Sequence, residues 1–197
     1  MPSPDPATAA GVLHADFFVP NPPLVVPAAT AHALSPAPSR EYEAFPNVEA
    51  RNGLQERIEI PLMLRALGLE KGGRILEVGC GRGIALRVFA ERLTPRALVG
   101  VDVDPVLVAL AEERVRRGDI VARVIHGDVR ALPLPAESFD LVVDFGTCYH
   151  VTGGQEGAVA ALSEIGRVLR PGGLFVHETP IAQHLAHPVR SLLRSLP

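Results

Sequence analysis

In the stretch ILEVGCGRG, residues 75–83, a carboxylate at Glu77 precedes three glycines, Gly79, Gly81 and Gly83, spaced by single residues. Glycines let a backbone take positive φ and approach a ligand with no Cβ in the way, and a helix that follows such a turn presents unpaired amides. The spacing narrows the ligand. A dinucleotide turn needs its third glycine at position 84, which is Ile84 here, and a phosphate loop needs a Gly-Lys-Ser/Thr ending, which is absent. Glu77 also weighs against phosphate, because a carboxylate before the turn repels a pyrophosphate and attracts a cation such as an ammonium group.

The elements that must position this turn alternate along the chain. Strands are expected at 74–78, 97–102, 121–125, 139–144 and 173–178, and helices at 83–93, 105–117 and 156–169. The segment 126–138 reads as loop with at most one helical turn. Asp104 and Pro105 supply an N-cap and a first helical residue. Such alternation of apolar strands with helices predicts an α/β domain, a doubly wound, Rossmann-like, mostly parallel sheet whose ligands bind beyond the strand carboxyl ends. Ahead of the first strand, residues 47–73 show helical spacing with Pro61 as a kink or restart, and Arg51, Asn52, Gln55 and Arg57 form either a polar lid or a solvated helix face. Residues 1–40 hold nine of the 19 prolines and read as an apolar arm, with the domain taken as 41–197.

ILEVGCGRG resembles motif I of the class I S-adenosylmethionine-dependent methyltransferases, and three further segments stand in that family's order: VGVDVDP, GDVRALPLPAESFDLVV and LRPGGLFVHET. The resemblance covers residues 74–179, a little over half of the chain. It implies S-adenosylmethionine as cofactor, with Glu77 near its ammonium and Gly79, Cys80, Gly81 and Gly83 around its methionine part. It further implies Asp102 on the ribose hydroxyls, Val103 against the adenine, Asp128 and Val129 at the adenine amino group, and Asp144 at the methionine end. Several of these residues have a plainer reading. Cys80 is equally a small residue tolerated in a tight turn, Val103 a core residue, Asp104 a helix cap and Asp140 a holder of local backbone amides.

Methyl transfer from a sulfonium is an in-line displacement, so alignment of the acceptor is the main requirement and a base is an aid. In DFGTCYHV, residues 144–151, His150 is the candidate base and Tyr149 the candidate for orienting substrate. His177 or Glu178 is a second candidate base, only one of which strand alternation would turn to the pocket. His126, Asp128, His150 and Asp144 show no strong metal-ligand spacing, so no metal is expected.

The net charge of −3 and a pI of about 6.2 give no overall attraction to nucleic acid or an anionic membrane, although a local basic patch can hide in a near-neutral total. Two cysteines, neither a basic leader nor a membrane span, and the small number of elements predict a cytoplasmic protein acting on a small-molecule metabolite. The alternatives are a non-catalytic partner subunit and a protein or RNA methyltransferase. After Glu178 only PIAQHLAHPVRSLLRSLP follows the threonine, with room for one short helix near 187–195 and none for the C-terminal hairpin usual in the family. The fifth strand is then expected to need a cover, from the N-terminal arm or from a second copy in a homodimer.

Overall fold

The computed structural model describes residues 52–69 and 71–178; the N-terminal arm, the proposed domain boundary at residue 40, Arg51 and the expected C-terminal helix lie outside them. A π-helical turn, Gln55–Glu59, runs into α1, Ile60–Leu67. There follow β1 Arg74–Val78, α2 Ile84–Leu93, β2 Ala97–Asp102, α3 Pro105–Arg116, β3 Arg123–His126, β4 Phe139–Asp144, α4 Gly154–Val168 and β5 Leu169–His177. Pro61 does not break the lead-in helix: it stands directly after the π-helical turn, in which the Ile60 amide reaches back five residues to the Gln55 carbonyl, so the run continues into α1 past a residue with no N–H to donate.

The five strands form one all-parallel sheet in the order β3-β2-β1-β4-β5. Strand order reverses between β1 and β4, so the turn after β1 opens at the switch point. Side chains alternate across the sheet into two cores. Ile75, Leu141 and Val143 pack with Ile60, Leu86 and Phe89 of α1 and α2 on one face. Leu76, Val78, Val101 and Val142 pack with Ala161 and Ile165 of α4 on the other. Buried β1, with all five of its residues inside, is therefore fixed in register from both faces and both edges.

The expected elements recur with small boundary differences and one informative one. β5 begins four residues early, at Leu169, because Arg170, Pro171, Gly172 and Gly173 bulge between the pairs Phe139–Leu169 and Leu141–Leu174. The segment 126–138 holds a single 3-10 turn, Val129–Ala131. Among the described residues β3 and β5 are the sheet edges.

Asp140 differs from the local role expected of it. Its carboxylate, 1% exposed, accepts from the Arg74 amide on β1 at 2.7 Å and from Arg170 Nε on β5 at 2.5 Å, so it ties three strands together at their amino ends. Asp140→Ala removes the buried acceptor while leaving the guanidinium in place, and is expected to cost about 3–5 kcal/mol in urea unfolding; a cost under about 1 kcal/mol would show the tie to be dispensable.

Candidate active site

The turn after β1 is built by hydrogen bonds that only a bare backbone permits. The amides of Gly79 and Cys80 both donate to the Val101 carbonyl, at 2.7 and 3.0 Å, and the Gly83 amide donates to the Cys80 carbonyl at 2.8 Å. Gly79 sits at φ 69°, and a Cβ there would lie 1.6 Å from Thr147 Oγ1. That hydroxyl donates to the Val78 carbonyl at 3.1 Å, so the loop after β4 lies directly on the glycine turn. Gly83 caps α2 in the left-handed region.

Asp102, at the end of β2, holds the same turn from the other side. One oxygen accepts from the Gly81 amide at 2.7 Å and the other from the Asp104 amide at 2.9 Å. Asp104 caps α3 by accepting from the amides of Val106 and Leu107, as its plainer reading expected, and it also lines the cavity. The two acids thus share one turn without sharing a job.

These residues surround a cavity of about 390 Å³ at the strand carboxyl ends, within the range of roughly 300–1,000 Å³ usual for small-ligand sites. Glu77, Gly79, Cys80, Gly81, Asp102, Val103, Asp128, Val129 and His150 line it. Asn52 and Gln55 reach it from the lead-in helix. Leu107, Arg130, Phe145, Thr147, Val151 and Thr152 line it too, and sequence reasoning singled out none of them, since each belongs to a helix or loop whose facing side depends on distant packing.

Glu77 is the chemically distinctive member. Its side chain is buried, and Oε2 has no hydrogen-bond partner. Burial first, then the neighbouring Asp102 and, more weakly, Asp144, push its carboxyl well above the ordinary range, and only the Leu86 amide pulls the other way. Asp102 is raised as well, by burial, against the amides of Asp104 and Gly81. Two partly desolvated acids side by side, one with an orphaned oxygen, form a site that a cation relieves.

At the far end of the cavity Asp128 is already engaged. Arg130 meets it through Nη2 at 2.6 Å and Nε at 3.0 and 3.1 Å, while Arg130 Nη1 donates to the carbonyl and hydroxyl of Thr152 at 3.0 Å. The Asp128–Arg130 pair therefore joins the loop after β3 to the loop after β4. His126 Nε2 lies 3.0 Å from the Val103 carbonyl, which can only accept, so that nitrogen carries the proton.

Asp144 does not stand where the family resemblance would put it. It is fully buried, does not line the cavity, and accepts from the Thr147 amide at 2.5 Å, the Cys148 amide at 3.2 Å and His177 Nδ1 at 2.8 Å. Two of these contacts hold the loop 145–150 and the third ties it to β5. Gly83 likewise lies off the cavity wall, where a Cβ would meet Ile120 Cδ1 at 2.9 Å; its role is close helix packing. Neither His177 nor Glu178 lines the cavity, and His177 turns to Asp144 instead. Arg57 opens on a different cleft. The side chain of Tyr149 lies outside the described residues, and its backbone closes the 3-10 turn Thr147–Tyr149.

Both cysteines are free, and burial raises their thiols far above the thiolate range, which makes them packing groups rather than nucleophiles. Gly100 makes room for Cys80, since a Cβ at 100 would stand 2.8 Å from its sulfur. Among the described residues no three His, Cys, Asp or Glu side chains gather as metal ligands, and no helix is long and apolar enough to cross a membrane.

Residues 75–173 match the model of a methyltransferase domain family. A protein of Mycolicibacterium smegmatis named "Probable S-adenosylmethionine-dependent methyltransferase" is 38% identical over 109 residues, 55% of this chain and 38% of that protein. A demethylmenaquinone methyltransferase of Tropheryma whipplei is 34% identical over 113 residues, 57% of this chain and 44% of that protein. The chain thus spans about half or less of the length of these relatives. The solved structure of the PH0226 protein from Pyrococcus horikoshii superposes with a TM-score of 0.61 at 23% identity, covering 77% of this chain and 71% of that one, and shows the shared fold.

The folded state holds the Glu77 proton more tightly than the unfolded chain does, so this residue costs stability as pH rises from its ordinary value of 4.5 through the raised one. Glu77→Gln, neutral throughout, is expected to raise the thermal midpoint of the ligand-free protein at pH 8 and to raise it by less at pH 5. A difference independent of pH would show that the charge of Glu77 is not what strains the empty site.

Proposed function

The chain belongs to the class I S-adenosylmethionine-dependent methyltransferase family, and from that premise we propose that it transfers the cofactor's methyl group to a small-molecule acceptor. The single observation that carries the reading is Glu77, a buried carboxylate with an unpartnered oxygen on the wall of a cavity at the sheet's switch point. The family's cofactor bears an ammonium on its methionine part, and the donor set fits it: a desolvated carboxylate beside glycines that leave the backbone open.

When bound, the cofactor supplies a methyl on a positively charged sulfur, and the carbon–sulfur bond breaks as the acceptor's new bond forms, leaving a neutral thioether. The protein's part is to bind and to aim. Glu77 takes the ammonium, which favours its charged form. Asp102 has lone pairs left beyond its two amide partners and offers them to ribose hydroxyls. Val103, Leu107 and Val129 give the adenine an apolar slot, with Asp128 and Arg130 at its rim. His150, on the loop held by Asp144, is the group on this wall able to take a proton from an acceptor hydroxyl. Holding acceptor and methyl in line supplies roughly 7–11 kcal/mol of the barrier reduction, so a base adds to the rate rather than creating it.

A small acceptor is favoured by a relative named for demethylmenaquinone methylation. Calorimetric titration with S-adenosylmethionine and S-adenosylhomocysteine tests the core of the reading. Wild type is expected to bind both; Glu77→Gln is expected to weaken S-adenosylmethionine about 10- to 100-fold, the worth of a hydrogen bond to a charged group. Asp102→Ala is expected to weaken both ligands, and Gly79→Ala to abolish binding through its collision with Thr147. Release of labelled S-adenosylhomocysteine on an acceptor panel then separates an enzyme from a cofactor-binding subunit, and no binding by wild type would overturn the proposal.

A further inference from the structure

Along the lead-in helix, from the residue before the π-helical turn into α1, Leu54, Ile58 and Leu62 follow one another at four-residue steps, outside the lining of the cofactor cavity, and are 47%, 50% and 54% exposed. On a helical segment that spacing makes one continuous apolar ridge. Beside the ridge lies a cleft of about 490 Å³ between α1 and α2, floored by Leu64, Leu69 and Leu93 and lined by Arg57, Arg65 and Arg92. None of these three guanidiniums has an acidic partner among the described residues. Of the described acids nearby, Glu56 and Glu91 both pair with Arg87, and Glu59 does not line the cleft.

An exposed apolar ridge flanked by uncompensated arginines is an arrangement that solvent alone does not satisfy. We propose that this face of the lead-in helix, with the adjoining end of α2, docks on the surface of an anionic phospholipid bilayer, with the ridge entering the acyl boundary and Arg57, Arg65 and Arg92 meeting lipid phosphates. A second copy of the chain is the poorer occupant, because a two-fold contact would set the same three arginines against themselves. The chain's net charge of −3 conceals the patch, since it averages over acids that lie elsewhere. The lead-in helix also turns Asn52 and Gln55 into the cofactor cavity, so docking would bring that cavity close to the lipid surface.

The test is flotation of the full chain with vesicles of pure phosphatidylcholine and of phosphatidylcholine with phosphatidylglycerol. Binding is expected on the anionic vesicles, to weaken with salt, to fall about fivefold for each arginine replaced in Arg57→Gln, Arg65→Gln and Arg92→Gln, and to fall at least about tenfold in the double variant Ile58→Ser with Leu62→Ser. All five positions are exposed or line the outer cleft, so thermal midpoint and S-adenosylmethionine titration should match wild type and show that fold and cofactor site are intact. Equal partition to both vesicle types, no binding to either, or variants that bind like wild type would overturn the proposal. So would concentration-dependent dimerisation lost in the ridge variant, which would assign the ridge to self-association. The cofactor titration in the same samples keeps a failure of docking distinct from a failure of the methyltransferase reading.

Discussion

The fully buried carboxylate of Asp144 is the constraint on which the site depends. It gathers the amides of Thr147 and Cys148 and the ring of His177, so the loop after β4 can take only one path. That path lays Thr147 on Gly79, and the contact is possible because Gly79 has no side chain. The glycine after β1 therefore serves two ends at once: it lets the loop of β4 close on the turn, and it leaves the backbone open to a ligand. A carboxylate buried this deeply is tolerable because two backbone amides and an imidazole nitrogen meet it.

Around this frame the electrostatics are unbalanced by design of the site rather than by accident of packing. Elsewhere acids have committed partners: buried Asp140 has Arg170, and half-buried Asp128 has Arg130. Glu77 has an orphaned oxygen, and Asp102 beside it raises the cost of its charge. The ligand-free protein thus carries a local penalty that a cationic ligand removes, the usual trade of stability for function at a binding site. The same logic of unmatched charge, with the opposite sign and on the opposite side of the lead-in helix, distinguishes the arginine cleft from the paired Arg87 next to it.

Arg130 and Arg167 show how long cations stitch loops that no secondary structure holds. Arg130 spans from Asp128 to Thr152, joining the loop after β3 to the loop that carries His150. Arg167 donates to the carbonyls of Leu132 and Leu134 while pairing with Glu164, which itself accepts from the Leu132 amide. The loop between β3 and β4, short of regular structure, is thereby pinned along its length. Positions on the cavity wall such as Val129 are consequently fixed by side chains that never touch a ligand.

What the sequence by itself determined is what local physics dictates. Positive φ at Gly79, Gly81 and Gly83, the Asp104–Pro105 helix start and the apolar strands are properties of a few adjacent residues, and from them the parallel α/β fold, the turn, Glu77 and Asp102 could be read. The tertiary structure alone decided the rest, because the deciding partners are far apart in the chain. Asp140 looked local but bonds Arg74, 66 residues away. Asp144 looked like a ligand but is consumed by its own loop and by His177, 33 residues on. Thr147 gave no signal at all until Val78, 69 residues earlier, came within reach of its hydroxyl. An acid in a sequence has a charge but no neighbours, and it is the neighbours that decide whether that charge is spent on the fold or left for a ligand.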